Sequence, residues 1–176
     1  HWGVKPDLTT TAKAITNGYF PFGAVMISDA VAEVFEGDET GRAAIGHGYT
    51  YSGHPIGAAA ALACLAETER LQVHRNAAAR GAELFDGLVR LGAAFGVVGD
   101  VRGGHGLMCA LELVSDPEKK TPIEKPRIQK VQEAAYAAGA MVRVSGNNVI
   151  LSPPLILTAD EVQILLSALE TGLAAA

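Results

Sequence analysis

Lysine is scarce over most of this chain: Lys5 and Lys13 are the only two before Lys119. Basic residues nowhere cluster, and 14 Lys and Arg against 19 Asp and Glu leave a net charge of −5. That balance argues against nucleic acid or an anionic membrane as the main partner. Long apolar runs are missing too. Nothing approaches the roughly 18 to 20 residues of a membrane-spanning helix, and the Ala-rich stretch 56–65 is too short and too small-residue to serve as one. Cysteine is limited to Cys64 and Cys109, with no CxxC spacing. This points away from a zinc site or a disulfide framework and towards free buried thiols in a reducing cytoplasm. Neither GxGxxG nor GxxxxGK followed by Ser or Thr occurs. The cluster Gly103-Gly104-His105-Gly106 leads into a strand rather than a helix, so it does not read as a phosphate loop. His47 and His54 share a loop with no carboxylate or cysteine to complete a metal site, and no metal is expected.

What is present belongs to a globular protein. The 176 residues are 49% hydrophobic and 19% charged, enough for one ordinary domain or parts of two. The stretch Asp7 to Gly23 is the centre of the reading. Lys13 follows the apolar and hydroxyl-rich run Leu8-Thr9-Thr10-Thr11-Ala12 and precedes a loop punctuated by Gly and Pro. Burial lowers a lysine's pKa and makes it a nucleophilic amine able to form a Schiff base with a carbonyl. By spacing alone, an exposed lysine near a strand end is the favoured reading.

The residues around Lys13 shift that balance. Pro6-Asp7, Lys13, Ala14, Ile15, Thr16, Gly18-Tyr19 and Pro21-Phe22-Gly23-Ala24-Val25 form an ungapped pattern. It resembles the cofactor-lysine segment of class III (omega-amino acid type) pyridoxal-phosphate aminotransferases, and the resemblance runs on to the C-terminus. It implies an α/β protein of the type I pyridoxal 5'-phosphate (PLP) transferase fold, with Lys13 holding the cofactor as a Schiff base. By the same resemblance, desolvation keeps the released Lys13 amine neutral so that it can move a proton. Residues 1–70 would be the C-terminal part of the large cofactor domain, completing a mainly parallel sheet. Residues 71–176 would form a small α+β domain of antiparallel strands with helices on one face.

The chain opens on His1-Trp2 without a methionine. In the family a longer N-terminal part supplies a phosphate cup, a ring-stacking aromatic and an aspartate for the pyridine nitrogen. The expectation is therefore the C-terminal portion of such an enzyme, inert by itself.

Two further segments carry chemistry. Pro55 suits a first helical position, and the Ala- and Leu-rich run after it is a strong helix former. A helix N-terminus attracts anions, and Thr50 and Ser52 add hydroxyls just upstream; from pattern alone an anion site and a plain capped loop are level. The nonapeptide from His47 to Pro55 resembles the family motif H-G-x-T-Y-x-G-x-P. There the threonine contacts the cofactor phosphate of the neighbouring subunit. Carried over, Thr50 takes that role and implies a homodimer with shared active sites.

Arg143 stands among Met, Val, Ile and Leu, where a guanidinium wants a carboxylate partner. An internal salt bridge is the plain alternative. The resemblance puts a substrate-carboxylate arginine in the matching strand, ahead of Ser152-Pro153-Pro154-Leu155. Arg102, in a stretch resembling the family's V-R-G-x-G-L turn, is expected to pair with carboxylates structurally.

The implied activity moves an amino group from an omega-amino acid or amine to a keto acid such as pyruvate. The family also hosts aminomutases, decarboxylases and racemases. Local patterns predict hairpins over 96–114 and 141–152, helices over 29–35, 56–68, 76–91 and 127–139, an exposed loop over 116–126, and a capping box at Thr158 and Glu161. The run Ala24 to Ile27 reads as a buried strand.

Overall fold

The computed structural model describes residues 3–176; His1 and Trp2 lie outside the described residues. The chain divides into two compact units, His1–Arg70 and Leu71–Ala176.

The first unit begins with β1 (Leu8–Ala12) and β2 (Gly23–Ile27), paired antiparallel with Leu8 opposite Ile27 and Ala12 opposite Gly23. A parallel pair is not found among the described residues. The loop 13–22 is shorter than the dozen or more residues a parallel crossover needs, so the strands return as a hairpin. The run expected to be a buried strand, 24–27, is a strand here, but Val25, Met26 and Ile27 are exposed among the described residues. Helix α1 (Asp29–Glu36) starts after Ser28, whose side chain does not cap it. The Ser28 hydroxyl instead donates to Asp7 Oδ1 at 3.1 Å, tying the helix start to the approach of β1. A glycine-rich loop leads to α2 (Pro55–Arg70), which buries Gly57 and Ala61 and exposes Ile56, Leu62 and Leu65.

The second unit holds the larger core. Helix α3 (Val73–Ala94) leads into β3 (Val98–Arg102) and β4 (Cys109–Asp116); the short β5 (Thr121–Pro122), α4 (Lys125–Ala137), β6 (Arg143–Ser145), β7 (Asn148–Leu151) and α5 (Ala159–Ala174) follow. The sheet is antiparallel, in the order β3-β4-β7-β6, with β5 paired to β4. Along β4, Cys109, Leu111 and Leu113 are buried on one face, as the period of two requires. They join Val149 and Leu151 of β7, Leu84 and Leu88 of α3, Ile128 and Val131 of α4, and Val162, Leu166 and Leu169 of α5 in one cluster. The alternate positions of β4 carry Ala110, Glu112 and Val114, of which Val114 is also buried.

Several local expectations hold. Both hairpins are present, and Gly146 between β6 and β7 takes the left-handed φ of 61° that a two-residue turn demands. Thr158 and Glu161 form the full capping box of α5. Two expectations change. Helix α3 begins three residues before position 76, because Val73 belongs to the buried face and Gln72, at φ 49°, turns the chain into the helix. The 116–126 segment contributes β5, an edge strand, which is where a sheet tolerates Pro122.

Candidate active site

Lys13 directly follows β1 and opens a single 3-10 turn, Lys13–Ile15. Its φ of 54° lies in the left-handed region, which costs a non-glycine residue roughly 1–2 kcal/mol. Such strain persists only where the surroundings fix it, and it concentrates at functional sites. The fixing element is Thr16, 1% exposed, whose hydroxyl donates to the Phe20 carbonyl at 2.6 Å. Backbone bonds from Thr16 to Lys13 and from Tyr19 to Thr16 close the same loop. Lys13 itself is exposed. The desolvation implied for its amine is therefore not supplied by the residues described here.

Thr50 lies on the turn 49–52. The Ser52 N–H donates to the Tyr49 carbonyl at 2.9 Å, and the Tyr49 N–H donates to Ser52 Oγ at 3.1 Å. The turn leads straight into α2, whose first intrahelical bond runs from the Ala58 N–H to the His54 carbonyl. The lysine loop docks on that helix start. A Cβ at Gly57 would come within 2.7 Å of Phe22 and 3.0 Å of Phe20, so both rings sit where a side chain would otherwise be. The Phe20 and His54 rings lie 4.9 Å apart. Phe20, Phe22, Tyr49, Tyr51, Ser52 and His54 line a cavity of about 800 Å³. Lys13 and Thr50 thus belong to two segments joined by aromatic contacts within one unit.

Arg143 belongs to the other unit. It opens β6 opposite Ile150 and borders a groove of about 730 Å³ with Gln132, Met141, Glu161 and Ile164. Among the described residues it makes no ion pair, so the internal salt bridge that competed with a substrate role is absent there. Arg102 contrasts with it. It bonds Asp100 at 3.0 Å, Glu112 at 2.8 Å and the Asn148 side-chain carbonyl. The Arg102 bond, with a second from the Asn147 amide, holds the Glu112 carboxyl below the usual carboxylate range. The structural role expected for Arg102 is what its contacts show. Burial pushes the Cys109 thiol up, away from the reactive thiolate form.

No group of three or more His, Cys, Asp or Glu suited to a metal occurs among the described residues. Among the described residues, no helix is long and apolar enough to cross a membrane. His47 packs edge-on against Tyr49 at 4.7 Å. His54 has more to do than a loop histidine: its Nδ1 accepts the Gly57 N–H at 3.4 Å. The signal for that role was its place directly before a helix-opening proline, where cap residues stand.

The donor set suits PLP on two counts. A primary amine on a fixed left-handed turn can hold a carbonyl carbon, and a hydroxyl ahead of a helix N-terminus can donate to a phosphate. The chain's similarity to known proteins agrees. The class III aminotransferase family model matches residues 1–173. A diaminobutyrate–2-oxoglutarate transaminase of Halomonas elongata is 42% identical over 170 residues, covering 92% of this chain and 35% of that protein. An uncharacterized aminotransferase of Sinorhizobium fredii is 41% identical over 167 residues, with the same two coverages. Among solved structures, a PLP-bound amine transaminase from an uncultivated Pseudomonas species superposes with a TM-score of 0.90 at 45% identity, covering 98% of this chain and 39% of that one. The chain thus spans little more than a third of the length of the proteins it matches. Its fold is that of the type I PLP-dependent transaminases, and the chain belongs to the class III aminotransferase family.

Proposed function

We propose that this chain is the lysine-bearing part of a PLP-dependent omega-transaminase. The complete protein would move an amino group from an omega-amino acid or amine to a keto acid such as pyruvate. The observation that carries the reading is Lys13: a strained, left-handed lysine held at a strand end by the buried Thr16. The amine transaminase and diaminobutyrate transaminase relatives support both the amine donor and the keto-acid acceptor.

When bound, PLP supplies an electron sink for the bonds at the substrate's amine-bearing carbon. The chain's own residues do the rest. Lys13 Nζ would hold the cofactor covalently as a Schiff base and, once released, would move the proton from the substrate carbon to the cofactor carbon in one half-reaction and in the opposite direction in the other. Thr50 Oγ1 donates to the cofactor phosphate of the neighbouring subunit, so the working unit is a homodimer. The Arg143 guanidinium, free of internal ion pairs among the described residues, grips the carboxylate of the keto acid through charge-assisted bonds. Residues 1–70 act as part of the cofactor domain and 71–176 as the small domain. Cys64 and Cys109 are free thiols, which fits a cytoplasmic setting.

Transfer from an amine to pyruvate by the complete protein, read as alanine formed, tests the reading; no alanine from any amine or omega-amino acid donor would contradict it. Within that assay, Arg143→Ala should raise KM for pyruvate roughly 10- to 100-fold, since a bond to a charged group contributes about 1.5–3 kcal/mol. KM for a neutral amine donor should change little. Equal effects on donor and acceptor would remove the role given to Arg143.

A further inference from the structure

His54 touches both segments that carry the proposed cofactor contacts. On one side its ring lies 4.9 Å from Phe20, with the planes tilted by 31°. Phe20 is itself anchored: the Thr16 hydroxyl bonds its carbonyl, and Gly57 leaves room for its ring on α2. On the other side, the His54 ring meets Tyr51 edge-on at 5.9 Å, inside the turn that holds Thr50. Its Nδ1 accepts the Gly57 N–H while its carbonyl accepts from Ala58, so the residue also closes the first turn of α2. A long cap bond and two aromatic contacts therefore meet on one side chain.

We propose that His54 is a positioning residue: it holds the Thr50 turn in register against the lysine loop, so that Thr50 Oγ1 is fixed for the cofactor phosphate. In this arrangement the Thr50 turn is placed against the lysine loop. This rests on the proposed function, and on Thr50 as the phosphate donor in particular. Its consequence is selective. Removing the His54 side chain weakens recognition of the phosphate and leaves attachment at Lys13 intact.

The test is a double-mutant cycle in the complete protein, stripped of cofactor and titrated with PLP and with pyridoxal, which lacks the phosphate. His54→Ala should weaken PLP binding about tenfold while pyridoxal binding stays within about twofold. His54→Asn, which keeps a cap acceptor, should recover part of the loss. In a Thr50→Val background, His54→Ala should cause little further loss, because a residue acting through Thr50 has nothing left to position. Equal weakening of PLP and pyridoxal, or fully additive losses with Thr50→Val, would overturn the assignment. Should His54→Ala not fold, the cycle is run with His54→Asn, whose PLP-selective loss is expected to be smaller than tenfold; equal weakening of PLP and pyridoxal, or full additivity with Thr50→Val, again overturns the assignment. Failure of the unsubstituted protein to bind PLP would instead overturn the reading beneath it, and with it this inference.

Discussion

Lys13→Ala should reduce transamination by the complete protein by at least about 10⁴-fold, whereas Lys5→Ala should leave it within about twofold. The contrast follows from where the two lysines stand. Lys5 precedes β1 without the positive φ of Lys13, and among the described residues no bond or ion pair ties it to the Thr50 segment. Lys13 stands at the turn that Thr16 closes, with a φ that the chain maintains at a cost. Loss of Nζ removes both the covalent hold on the cofactor and the group that moves the proton, which are two roles of one atom. The loss therefore appears in kcat, and no excess of substrate restores it. Substantial turnover in Lys13→Ala would mean that the strained lysine is an architectural feature only.

The largest effect on stability is expected at Gly81. Alanine is the better helix former by about 1 kcal/mol, so in an exposed helix Gly→Ala would stabilise. Here the new Cβ would stand 2.3 Å from the Gly106 carbonyl oxygen and 2.8 Å from its Cα. Both neighbours are backbone. Gly106 sits at φ 78°, and its loop is closely backed, since a Cβ at Gly103 would meet Cys109 Sγ at 2.6 Å and Phe85 at 3.2 Å, so there is little room to retreat. Overpacking of this kind costs about 1–3 kcal/mol, and against backbone the upper part of that range applies. The clash wins, and Gly81→Ala should lower stability by roughly 1–2 kcal/mol net. Gly92→Ala is the comparison: its nearest neighbour is the Val101 side chain at 2.9 Å, and its effect should be smaller. Thermal unfolding of the two variants side by side measures the difference. A Gly81 variant as stable as the parent would mean that α3 and the 103–106 loop do not approach this closely.

Much of the fold was legible because its signals are local. The returning strands 143–145 and 148–151 announce themselves by Gly146 and Asn147 between β-branched runs, and the α5 capping box lies within four consecutive residues. The lysine segment was legible as a pattern, and the family match over 1–173 bears that out. What escaped was set by partners far along the chain. Arg102 was expected to find carboxylates, but its bond to Asn148 spans 46 positions and exists only because β4 lies between β3 and β7. Helix α3 starts early because Val73 is drawn into the core, which periodicity around Leu84 and Leu88 did not reveal. The exposure of β2 escaped because four apolar residues in a row look buried whatever covers them. At the candidate site, Lys13 and Thr50 stand out in the sequence by the motifs in which they sit. By sequence His54 reads as a loop histidine, because its contact with Phe20 joins residues more than thirty positions apart.

The most direct test of the account is borohydride reduction of the complete protein carrying PLP, followed by peptide mapping. The account predicts loss of the visible absorbance and a single pyridoxyl label on Lys13. A label on another lysine, or no label on a protein that transaminates, would contradict it.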